Sequence, residues 1–64
     1  MKVTKVAGNC KQSTCPAVYV DDAGSLVVQG AAVRNADGLQ LGEGEQAVQI
    51  SVELVREALR ALDR

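Results

Sequence analysis

The chain has 64 residues, enough for one domain, and its formal net charge of −1 argues against bulk electrostatic capture of nucleic acid. It has no Trp, no Phe, no His and one Tyr, so Val, Ala and Leu must build the core. The missing histidine also removes the commonest general base and metal ligand among side chains.

A chain this short buries only about 60% of its unfolded surface, and small aliphatic residues bury little area each. That predicts a stable protein partner or self-association as a homodimer. No apolar run approaches the length of a membrane span. The N-terminus, MKVTKVAG, does not read as a signal peptide, so a cytoplasmic address is expected by default.

In chain order, Met1–Val6 is β-branched and carries Lys2 and Lys5, which suit an edge strand. Val3 and Val6 break its strict alternation. Ala7–Pro16 is rich in turn formers and reads as a loop leading into the next strand, whose first position tolerates proline. Residues 1–14 thus form an N-terminal strand and loop, 15–50 a β-rich body, and 51–64 a helix.

The body is organised on Cys15–Gly30. Two β-prone runs, Ala17–Val20 and Leu26–Gln29, flank Asp22-Ala23-Gly24-Ser25, which is a hairpin signal. Gly30 interrupts the second run before Ala31-Ala32-Val33. It predicts a bulge, a bend or the close approach of another backbone, with the strand continuing beyond it. Asp37-Gly38 and Gly42-Glu43-Gly44-Glu45 read as turns, and Ala47–Ile50 as a further strand.

Ser51 is a favoured N-cap and Glu53 suits the first turn of a helix, which predicts a helix over Val52–Leu62. Val52, Val55, Leu59 and Leu62 recur at a spacing of three and four, with Ala58 beside them, and predict one apolar stripe that docks on the sheet. The expected fold is α+β: a small antiparallel sheet built on a central β-hairpin with one C-terminal amphipathic helix.

Few residues suggest chemistry. Cys10 and Cys15 stand at C-x4-C. They could be half of a zinc site, but a structural zinc takes four ligands and this chain offers two. They could close a small loop as a disulfide, although cytoplasmic thiols are normally reduced. The plain role is two small, partly buried residues at the hairpin entrance. Asp21 and Asp22 could act as paired acids, but strand neighbours point apart and Asp22 opens a turn. Glu43 and Glu45 read as a solvated acidic turn. Arg56, Arg60 and Arg64 form a basic stripe blunted by Glu53 and Glu57. With Lys2, Lys5 and Arg34 they are the candidate nucleic-acid contacts. No serine or thiol has a histidine to activate it, which argues against a free-standing enzyme and implies no cofactor. Tyr19, Val20 and Val27 are the candidate interaction face, because both faces of the hairpin are partly apolar.

Three features, Gly8-Asn9-Cys10, the run Ala32-Val33-Arg34, and a strand followed by Ser51 and an amphipathic helix, resemble small regulatory proteins of actinomycetes. These are the BldB-like and related families found beside Xre-type helix-turn-helix regulators. The resemblance implies a cytoplasmic partner of a transcription regulator, with no catalytic residues to carry over. Leu41–Glu45 followed by Ala47–Ile50, and Ser51–Leu54, are similar in reversed order to the loop, strand and helix start of AbrB-like swapped-hairpin domains. That implies the alternative, a dimeric, antitoxin-like DNA-binding protein.

Overall fold

The computed structural model describes residues 1–8 and 15–63. Its elements run β1 (Val3–Ala7), β2 (Ala17–Asp21), β3 (Leu26–Gln29), β4 (Ala31–Val33), β5 (Ala47–Gln49) and α1 (Val52–Leu62). The first three strands form an antiparallel sheet in the order β1-β2-β3, and β4 and β5 form a separate antiparallel pair. The chain is therefore α+β, with a β-hairpin at its centre and one C-terminal helix.

The hairpin closes on Asp21. Its backbone N–H donates to the Ser25 carbonyl at 2.8 Å, and the Gly24 N–H donates to the Asp21 carbonyl at 3.2 Å. The Asp21 carboxylate accepts from the backbone N–H groups of Ala23 and Ser25, at 2.9 and 2.8 Å. Gly24, at φ +91°, takes the left-handed position that a three-residue hairpin loop needs after its type I turn. Asp21 is thus a turn clasp, and Asp22 is exposed beside it.

The register of β1 on β2 shifts between Lys5 and Ala7. This irregularity accounts for the broken alternation in the sequence. It lets the neighbouring Val6 and Ala7 both reach the core, Ala7 buried and Val6 packed against it.

The expected continuation of β3 does not form. At Gly30 the chain leaves the first sheet, and β4 pairs with β5 instead. A Cβ on Gly30 would lie 2.6 Å from the Gln49 carbonyl oxygen and 3.0 Å from Ile50 Cγ2. Only glycine lets the end of β5 pass this closely. Between β4 and β5, the Leu39 N–H donates to the Ala36 carbonyl at 3.2 Å, and the Glu45 N–H to the Gly42 carbonyl at 3.0 Å. Glu45 is no free acid here, since its side chain accepts from the Gly42 N–H at 2.6 Å.

The helix begins at Ser51, whose hydroxyl accepts from the Leu54 N–H at 3.1 Å, and ends with the Asp63 N–H donating to the Leu59 carbonyl at 2.9 Å. It packs on β1 and β2. Leu54 and Ala58 make that contact, joining Ala7 and Val18 in the core, with Val6 and Ile50 against it. Of the stripe expected to dock, only Ala58 does. Val52, Val55, Leu59 and Leu62 are exposed, at 42–62% of their surface. The reason is the width of the apolar arc. At 3.6 residues per turn, the centre of the Leu54 and Ala58 pair lies about 100° from the centre of the four exposed residues, and the small Ala58 side chain lets the helix sit close on that side.

Candidate interaction surface

The sheet has two faces, and the register sorts the side chains between them. Val18 pairs with Val28 and Val20 with Leu26, on the helix side where Val18 joins the core. Tyr19 pairs with Val27 and with Lys5, on the opposite side. The residues expected to form one interaction face are therefore divided. Tyr19 and Val27 stand together, whereas Val20 points the other way, and all three are half-buried. The Tyr19 hydroxyl donates to Gln29 Oε1 at 3.1 Å, and Gln29 Nε2 donates to the Cys15 carbonyl at 3.1 Å. Lys5 Nζ lies 5.9 Å from the centroid of the Tyr19 ring, within cation–π range. This face is tied down by its own polar contacts.

The larger apolar surface is on the helix side. Leu26 and Val28 of β3 are exposed, at 51% and 37%, and face the same side as the open stripe of α1. Between them runs a cleft of about 80 Å³ whose lining is apolar throughout, with Leu26, Val28, Ile50, Val55, Leu59 and Leu62 in its walls. The sequence signal for it was the apolar arc of α1 being wider than one contact needs. Adjacent to the arc, the polar side of the helix carries Glu53, Arg56, Glu57 and Arg60.

Glu57 does more than balance arginines. Its Oε2 accepts the Gly8 N–H at 3.1 Å, linking α1 to the end of β1. Arg56 and Arg60 are exposed on the helix, Lys2 and Lys5 lie at and before β1, and Arg34 follows β4. Arg64 lies outside the described residues.

Cys15 is half-buried, as expected at the hairpin entrance, but it is disulfide-bonded rather than reduced. A disulfide sulfur is no thiolate ligand, which removes it from a zinc site in this state. Cys10 lies outside the described residues. Among the described residues, no three His, Cys, Asp or Glu side chains gather as metal ligands. No helix among them is long and apolar enough to cross a membrane. Comparisons of the chain with protein-family models, curated proteins and solved structures gave no match.

Proposed function

We propose that this chain is a non-enzymatic protein-interaction module that works by burying the helix-side apolar surface against another protein chain. The observation that carries the reading is the exposed helix residues Val55, Leu59 and Leu62 lining the same apolar cleft as Leu26 and Val28, with the exposed Val52 continuing the stripe at the start of the helix. Contiguous apolar surface of this kind marks interaction sites on small proteins. The resemblance to actinomycete regulatory proteins supports a transcription regulator as the protein that the module serves.

The test compares the wild-type chain with Leu59→Glu, each immobilised and exposed to lysate with and without nuclease treatment, at low and high salt. A regulator retained by the wild type, insensitive to salt, and lost from a variant with unchanged circular dichroism, is the expected result. Equal retention by both chains overturns the assignment of this surface. Retention that needs intact nucleic acid and falls steeply with salt overturns the reading in favour of phosphate contacts by the lysines and arginines.

A further inference from the structure

We propose that the occupant of the helix-side face is a second copy of this chain, so that the module is a homodimer and the dimer is what meets a regulator. The inference rests on the reading of that face as an interface and adds its partner. Three observations point to self-association.

The first is area. The single chain exposes 5462 Å². A folded monomer of its 6.7 kDa is expected to expose about 3,900 Å². The excess is roughly 1,500 Å² over the whole chain, of the order that each subunit of an obligate dimer buries, and the exposed apolar residues of the helix-side face contribute part of it. The radius of gyration, 12.7 Å, likewise exceeds the about 11 Å of a compact chain of this length.

The second is the core. The buried apolar residues among those described are Ala7, Ala17, Val18, Leu54 and Ala58, three of them alanine. So small a core leaves the fold dependent on further burial. The disulfide at Cys15 supplies part of what so small a core lacks, and burial against a second copy, present wherever the chain is made, would supply the rest.

The third is shape. The face carries both a ridge, the exposed helix stripe, and an apolar cleft beside it. A two-fold interface requires one patch to complement itself, and a ridge beside a groove does so when the copy is rotated onto it.

The experiment is sedimentation equilibrium of the purified wild-type chain over a wide concentration range, alongside Val52→Glu and Leu59→Glu. Val52 opens the helix, where an added carboxylate suits the helix dipole, so that variant retains the fold. The expected result is a wild-type mass twice 6.7 kDa, with both variants shifted toward the monomer. A wild-type monomer at every concentration overturns the proposal, as does a dimer that both variants leave intact. A wild-type monomer that still captures a regulator through this face, and loses it on Val52→Glu, would sink the homodimer and leave the interaction module standing. Capture unaffected by Val52→Glu would sink both.

Discussion

At the scale of single residues, the fold leans on a few backbone contacts with no substitute. Gly30 is one. The Gln49 carbonyl passes so close that a methyl group would push the end of β5 away from the chain at Gly30. Gly30→Ala should therefore lower stability by about 1–3 kcal/mol, the usual cost of overpacking, read from urea denaturation. Gly38→Ala is the instructive control. A Cβ there meets nothing within 4 Å, so any loss reflects its φ of +89° alone. Asp21 is a second contact. Removing its carboxylate in Asp21→Ala leaves the Ala23 and Ser25 amides to water and should cost about 1 kcal/mol. Asp22→Ala, one residue on and exposed, should change stability little. If both aspartates cost the same, the clasp is misassigned.

Cys15 belongs at the same scale. It is disulfide-bonded, and the chain's other cysteine is Cys10. A bridge between the two closes a short loop, worth about 2 kcal/mol by loop entropy. Intact mass of the non-reduced chain should show a two-hydrogen deficit on a single chain, and dithiothreitol should lower the melting temperature. A bridged pair of chains that dithiothreitol separates would instead place the disulfide between copies.

At the scale of elements, the helix shows what a sequence states and what it leaves out. Ser51, Glu53 and the apolar spacing define Val52–Leu62 because capping and periodicity are local physics. Ser51→Ala should cost about 1 kcal/mol, since the Leu54 N–H loses its acceptor. Which side of the helix meets the sheet was not legible in the same way. The apolar residues cover about half the cylinder, and periodicity cannot say which part of a broad arc is taken by β1 and β2. The choice fell to Leu54 and Ala58, because a small side chain at the contact permits close packing. The hairpin was legible from turn chemistry and β-branched runs. The exit of the chain at Gly30 into a second pair of strands was not, because a glycine marks an irregularity without specifying its kind. Likewise Tyr19, Val20 and Val27 read as one apolar group along the chain, but strand alternation divides them.

At the scale of the whole molecule, the account joins two facts that are weak alone. Among the described residues the buried apolar set is small and mostly alanine, and the surface of the chain is large for the mass. Together they support the proposed interface between copies. A fold completed by a second copy loses stability on dilution, because mass action links folding to association. The thermal midpoint of the wild-type chain should accordingly rise with protein concentration, whereas a midpoint independent of concentration belongs to a self-sufficient monomer.

The most direct measurement sets Leu59→Ala beside Leu54→Ala in denaturant unfolding. Leu54 is buried beneath the helix, and truncating it should cost about 2–4 kcal/mol under either view. Leu59 is 59% exposed in the single chain, where truncation should change stability by no more than about 0.5 kcal/mol. A covered face predicts a loss at Leu59 well above about 1 kcal/mol at high protein concentration, which shrinks as dilution separates the wild-type copies. A Leu59→Ala chain as stable as the wild type at every concentration would contradict the claim that this surface is an interface between copies.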